Sequence, residues 1–156
     1  MASRAAIAPV YAALLARVRA VFDGVLVDAS RSQPPAQRAV TVYEGMATQR
    51  DPFPRVIVGG GGALERSLHT LGPTDGAKWG GIVEIPVRVV GQYPMTEGQV
   101  YQVVDLLKAG VEGQPLTVDG FPRVDVEAPA GAMLSDLITG VTTWEYVQTI
   151  TVTVHQ

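Results

Sequence analysis

The sequence contains no cysteine, which excludes disulfide bonds and thiolate metal sites. Its two histidines, His69 and His155, share no motif and make a poor case for a metal site. Twelve Lys and Arg against fifteen Asp and Glu give a net charge of -3, so there is no basic footprint for nucleic acid. No apolar run of about 20 residues is present, and Arg4, Arg17 and Arg19 break up the N-terminal region, so we expect neither a membrane span nor a signal peptide.

What is present describes one folded domain, residues 1–156. The chain is 47% hydrophobic and 17% charged, which is typical of a globular protein with a normal core. Seventeen glycines and eleven prolines predict several long loops around a modest scaffold. We expect a flexible N-terminus of about residues 1–7.

The strongest local signal is a helix from Thr96 to Lys108, around which the rest of the chain is organised. Thr96 and Gln99 have the spacing of a capping box. Gly110 predicts a left-handed stop. The apolar face of this helix requires a covering surface, and it is formed by residues at helical spacing: Val100, Val103, Val104 and Leu107.

The remaining periodicities predict one more helix and several strands. Two of the predicted strands alternate clearly: 79–91, where Pro86 indicates an edge or a bulge, and 142–154, which is rich in threonine. We expect loops over 30–38 and 128–140. Strands without helical crossovers favour an antiparallel sheet, so the predicted fold class is α+β: a mostly antiparallel sheet with two main helices packed on one face, and long loops. The other predicted elements are a helix, Ala8–Phe22, and strands at Val25–Val27, Ala39–Tyr43, Arg55–Val58 and Arg123–Glu127.

A run of four glycines, Gly59–Gly62, follows a predicted strand. A phosphate-binding loop would continue with Gly-Lys-Ser/Thr, but Ala63, Leu64 and Glu65 follow instead. The dinucleotide fingerprint would also need glycine where Leu64 stands. We therefore expect a hinge into a long loop, about residues 59–81, that contains His69.

No group of residues has the pattern of a reaction centre. The serines lie in no Gly-x-Ser-x-Gly context. Asp119, Asp125 and Glu127 are close in sequence, but a turn followed by one strand face explains them better than paired acid–base chemistry. We expect no enzymatic activity, no cofactor and no metal.

The order of elements resembles that of a phage protein family. An N-terminal helix with Val10-Tyr11-Ala12-Ala13-Leu14-Leu15 is followed by the Pro54–Val58 strand and a glycine turn, then by the Ile82–Val90 strand, the Thr96–Leu107 helix and a threonine-rich closing strand. This is similar to the tail terminator proteins (tail completion, or tail-to-head joining) of long-tailed bacteriophages. The likeness extends from about Pro9 to Val154 and depends on element order, since the family offers no catalytic motif. The loops 30–38 and 59–81 depart from its shorter members.

The resemblance implies a structural virion protein at the head–tail junction, assembled in the host cytoplasm. Such proteins form a hexameric ring on the head-proximal end of the tail tube, stop tube polymerisation and provide the docking surface for the head–tail connector. The sheets line the bore and the helices lie outside. The implied partners are other copies of the chain, the major tail tube protein and the connector or head-completion protein. DNA passes through the bore without specific binding, and net negative charge suits that passage.

Two alternatives remain open at this point. One is another phage neck, head-completion or tail tube protein, and the other is a small α+β ligand-binding domain or enzyme with the glycine run and His69 near its pocket. If the chain is a structural protein, aromatic and arginine side chains are expected to anchor its interfaces. The candidate interface residues are Trp79, Arg88, Trp144 and His69.

Overall fold

The computed structural model describes residues 6–47, 51–61, 64–69, 79–138 and 141–155, without the side chains of 65–69, 79, 130 and 135–138. The described elements confirm the α+β prediction. The elements in chain order are α1 (Ile7–Phe22), β1 (Leu26–Asp28), β2 (Gln37–Ala39), β3 (Thr41–Glu44), β4 (Arg55–Val58), β5 (Leu64–His69), β6 (Trp79–Gln92), α2 (Glu97–Val111), β7 (Arg123–Ile138) and β8 (Val141–His155).

A six-stranded sheet organises the fold. Its strand order is β3-β4-β6-β8-β7, and β5 also pairs with β6. The pairs are antiparallel except β3 with β4, which run parallel across the short connection 45–54. The strands β1 and β2 form a separate antiparallel ribbon. The prediction of a mostly antiparallel sheet is therefore confirmed, with one parallel exception.

Both helices cover the same face of the sheet. Strand residues on this face are fully buried, for example Ile85 in β6 and Ile150 in β8. From α1, Leu14 and Val18 are buried in the same core, and Leu107 from α2 joins them. Burial of these side chains supplies most of the favourable energy of folding.

The start of α2 follows the sequence prediction closely. Thr96 is the N-cap, its hydroxyl accepts from the Gln99 backbone at 3.2 Å, and the Gln99 side chain accepts from the Thr96 backbone at 3.0 Å. The predicted stop at Gly110 is wrong, because α2 continues to Val111. A β-carbon on Gly110 would lie 2.4 Å from a methyl of Val21. The glycine therefore lets α2 cross α1 closely, and does not end the helix.

Several predicted loops and boundaries are wrong. Within the expected loop 59–81, residues 64–69 form β5 and β6 begins at 79, while 62–63 and 70–78 lie outside the described residues. The expected connector 128–140 continues β7 as far as Ile138, with a register shift between Glu127 and Ala130. The expected loop 30–38 ends earlier, where β2 begins at Gln37. The strand β5 and the continuation of β7 form because the long strands β6 and β8 offer their free hydrogen-bonding groups, a non-local cause that local periodicity does not reveal.

Two further predictions need smaller corrections. The single strand Ala39–Tyr43 is divided at Val40 between β2 and β3, which belong to different sheets. The flexible N-terminus falls largely on residues 1–5, outside the described residues, but Ala6 is buried and Ile7 already begins α1.

Pro86 lies in the middle of the sheet, so the prediction of an edge or a bulge is wrong. The pairing of β6 with β8 runs without a shift through Pro86 and Thr149. On the other side of β6, β4 pairs with 87–90 and β5 with 79–84. The Pro86 carbonyl accepts from the Gly59 backbone at 2.9 Å, so its ring nitrogen faces the gap between β4 and β5. The missing N–H therefore costs no ladder hydrogen bond.

Candidate interaction surface

The second face of the sheet is the candidate functional surface. We define the open sheet face as the half-exposed residues of its two central strands that point away from the helices: Ile82, Glu84, Pro86, Arg88, Val147, Thr149, Thr151 and Thr153. These residues alternate with the buried ones along each strand, as expected for a sheet packed on one side. No described helix packs against this face.

A column of threonines forms the centre of the open sheet face. Thr149, Thr151 and Thr153 succeed one another along β8, and by register they pair with Pro86, Glu84 and Ile82 of β6. Threonine combines a methyl group with a hydroxyl that can donate and accept hydrogen bonds. The column can therefore contact another protein surface without burying a charge.

Acidic residues flank this column at Thr151 and Thr153. Glu84 pairs with Thr151 from one side and Glu127 pairs with it from the other. Asp125 lies opposite Thr153 and contacts two basic groups, with its Oδ2 3.7 Å from Arg123 Nε and 3.7 Å from His155 Nε2. Groups at these distances are loose surface contacts and not a catalytic arrangement.

An ion pair lies at the opposite end of the open sheet face. Arg88 Nε is 3.4 Å from Glu145 Oε1, and the two side chains are 35% and 38% exposed. They are diagonal neighbours, because Arg88 pairs with Val147 and Glu145 with Val90. A pair this exposed contributes at most about 1 kcal/mol to stability.

Beyond this ion pair, toward the edge of the sheet, a second arginine is buried. Arg55 of β4 is 8% exposed, and its guanidinium lies 3.9 Å from the centre of the Phe53 ring. Burial lowers the pKa of Arg55, while the nearby Asp51 opposes that shift. Arginine stacked on an aromatic ring is a typical cation–π contact. Here the contact lies at the β4 side of the open sheet face.

The glycine run forms a tight structural turn. Gly59 and Gly60 have φ angles of 80° and 87°, a region that other residues rarely adopt. A β-carbon on Gly59 would lie 2.8 Å from the Tyr11 ring, and one on Gly60 would lie 2.2 Å from the Gly45 carbonyl oxygen. The Tyr11 hydroxyl donates to the Val58 carbonyl at 3.1 Å, next to the turn. These contacts favour packing at this turn over the binding of a phosphate.

The four residues predicted as interface anchors lie in different places. Arg88 is on the open sheet face. Trp144 is on the helix-covered face and is 9% exposed, so its ring packs in the core. His69 and Trp79 pair with each other where β5 meets β6, and their side chains lie outside the described part of the chain. Their role in an interface stays a prediction. The sequence alternation predicted the threonine-rich strand 142–154, but it gave no signal for the Arg88–Glu145 pair, because the register between strands was unknown.

No group of acidic and histidine residues suited to a metal is found among the described residues. Neither described helix has the length and apolar character needed to cross a membrane. No protein-family model and no curated protein sequence matches this chain.

Proposed function

We propose that this chain is a structural virion protein that caps the head-proximal end of a phage tail tube as a hexameric ring. The ring stops tube polymerisation and presents a docking surface to the head–tail connector. The single observation that carries the proposal is the open sheet face, which lies opposite the helix layer and against which no described helix packs. The element order that resembles tail terminator proteins supplies the specific role.

The size of the sheet supports a role in assembly. At about 3.3 Å per residue the 14 residues of β6 extend about 45 Å, and three strands spaced about 4.8 Å apart cover about 650 Å². One partner contributes about 800 Å² to a stable protein–protein interface. The face of β6, β8 and β7 is therefore large enough for most of one subunit contact.

The charges on this face suit a channel for DNA. Glu84 and Glu127 flank Thr151, and Arg88 is paired with Glu145. Proteins that grip DNA neutralise phosphates with free lysine and arginine side chains. Carboxylates beside uncharged threonines provide no such grip, and the exposed Arg123 on β7 lies 3.7 Å from the Asp125 carboxylate. We expect DNA to pass the threonine column without being held.

The proposal is tested by letting the cognate tail tube protein polymerise with and without this chain. We expect the chain to limit tube length, with additional density at one tube end, as measured by negative-stain electron microscopy. Unchanged tube lengths would contradict capping. Long tubes built from this chain alone would instead favour a tube protein.

A matched pair of variants locates the contact. Thr151→Lys places a long cation between Glu84 and Glu127 on the open sheet face, where the two carboxylates accommodate it and the fold is retained. If the open sheet face contacts a neighbouring protein, this variant loses capping; if the face lines the bore, capping is retained and the added lysines hold DNA. Thr117→Lys makes the same change at an exposed loop position and should cap normally. Equal capping by both variants would exclude the open sheet face as the contact.

A further inference from the structure

The helix side of the molecule carries a second surface, where β1 lies beside α2. One part of it is a groove lined by two leucines and two aspartates. We call it the acidic groove: Leu26, Asp28, Asp105 and Leu106. Leu26 is 61% exposed and Leu106 is 41% exposed, although both are leucines beside a packed helix. Asp105 forms no ion pair within the described part of the chain, although Lys108 follows it by one turn. The Asp28 carboxylate accepts from the Gln37 side chain.

The other part is basic and aromatic, and we call it the basic knob: Arg31, Arg38 and Tyr93. The guanidinium of Arg31 lies 5.7 Å from the centre of the Tyr93 ring. Tyr93 is 58% exposed, and both arginines are exposed. The Gln99 side chain donates to the Ser30 carbonyl at 2.7 Å, which ties the chain next to Arg31 to the first turn of α2. The knob is therefore held at the N-terminal end of α2.

The groove and the knob lie at the two ends of one seam. The groove residues of α2 belong to the row Gln102, Asp105, Leu106 and Ala109, at the spacing of one helix face. From the N-cap Thr96 to Asp105 the helix rises about 14 Å. The seam thus presents negative charge with apolar side chains at one end. At the other end it presents two arginines and an aromatic ring, beside the single carboxylate of Glu97 in the first turn of α2.

We infer that a second copy of this chain docks on this seam through a two-fold axis. A surface with opposite charges at its two ends is complementary to itself when one copy is turned by 180°. Asp105 of each copy then faces Arg31 of the other, and Tyr93 covers the exposed leucines. This contact is separate from tube capping, because it uses the helix side of the molecule and not the open sheet face.

The pairing is weak and depends on salt. Its attraction includes exposed charges that are screened within about 10 Å at 0.1 M salt. Pairing is therefore expected at high protein concentration and low ionic strength. Raising the salt concentration should shift the equilibrium toward the monomer.

Sedimentation equilibrium of two charge-reversed variants tests the inference. Asp105→Arg places Arg against Arg31 of the partner copy, and Arg31→Asp places Asp against Asp105, so each variant alone should dimerise at least about tenfold more weakly than the unmodified chain. In a 1:1 mixture both contacts are opposite in sign again, and the dimer should return. Controls that make the same charge changes elsewhere are Asp119→Arg and Arg123→Asp, and both should dimerise like the unmodified chain.

The mass of the restored complex decides the geometry. A mixture that reaches the mass of two chains supports two-fold pairing. Larger closed or open assemblies would indicate a head-to-tail contact and overturn two-fold pairing. A chain that is monomeric at every concentration would also overturn it, as would a dimer whose affinity is unchanged by the charge reversals. Tube capping by the two charge-reversed variants is measured separately, so a failure of the seam and a failure of the proposed function are distinguishable. Circular dichroism confirms that each variant is folded.

Discussion

Replacing Gly110 by alanine tests how closely the two helices cross. In an exposed helix interior this change normally stabilises a protein by about 1 kcal/mol, because alanine is the better helix former. Here the new β-carbon would lie 2.4 Å and 2.8 Å from the two Val21 methyl groups. The Arg17 side chain also donates to the Gly110 carbonyl at 2.8 Å, which ties the two helices at the same point.

The clash exceeds the gain in helix propensity. Carbon atoms in contact lie about 3.5–4.0 Å apart, so the helices would have to separate by more than about 1 Å locally. Overpacking of this kind costs about 1–3 kcal/mol. After the propensity gain is subtracted, we expect Gly110→Ala to destabilise the fold by up to about 2 kcal/mol, which for a chain of this size lowers the Tm by up to about 8 °C.

Chemical denaturation and thermal unfolding of three variants provide the assay. Gly98→Ala is the matched control in the same helix, because no atom lies within 4 Å of its β-carbon position, and it should be neutral or stabilising. Val21→Ala removes the obstructing methyl groups, so Gly110→Ala should cost less in that background, with a coupling energy of about 1–3 kcal/mol. If Gly110→Ala stabilised the chain as much as Gly98→Ala does, the close crossing would be refuted.

Three further predictions concern local contacts. Thr96→Ala removes the N-cap of α2 and should lower the free energy of unfolding in urea by about 1 kcal/mol. Thr96→Ser keeps a capping hydroxyl and should retain most of that stability. Ile150→Ala empties a fully buried core position and should cost about 2–5 kcal/mol; a loss below about 1 kcal/mol would contradict its place in the core. Burial and the Glu44 carboxylate raise the pKa of Tyr11 above its ordinary value of 10.0. The unfolded chain releases that proton first, so stability should fall as the pH rises above about 10, and Tyr11→Phe should weaken this fall; an identical pH profile for the variant would exclude the effect.

Local signals in the sequence predicted the parts of the fold that depend on local physics. The capping box at Thr96 and Gln99 depends on four consecutive residues, and the alternation of β6 and β8 records directly which face is buried. These signals were sufficient to assign the fold class and to predict the threonine-rich strand that carries the threonine column.

Features that depend on contacts distant in sequence were not predictable. Leu64–His69 has no clear period, and it becomes β5 because β6 offers free hydrogen-bonding groups. Gly110 resembles a helix stop until the position of Val21 is known. Pro86 is tolerated in a central strand because two neighbours leave a gap beside it. The Arg88–Glu145 pair likewise requires the register between β6 and β8.

The most direct test of the proposed role is a cryo-electron microscopy reconstruction of the capped end of a tail tube. The proposal predicts six copies of this chain in a closed ring, with α1 and α2 on the outside and the open sheet face, Thr149 to Thr153 included, against the bore or the neighbouring subunit. A tube end without this chain, or a ring in which the helices line the bore and the threonine column faces solvent, would contradict it.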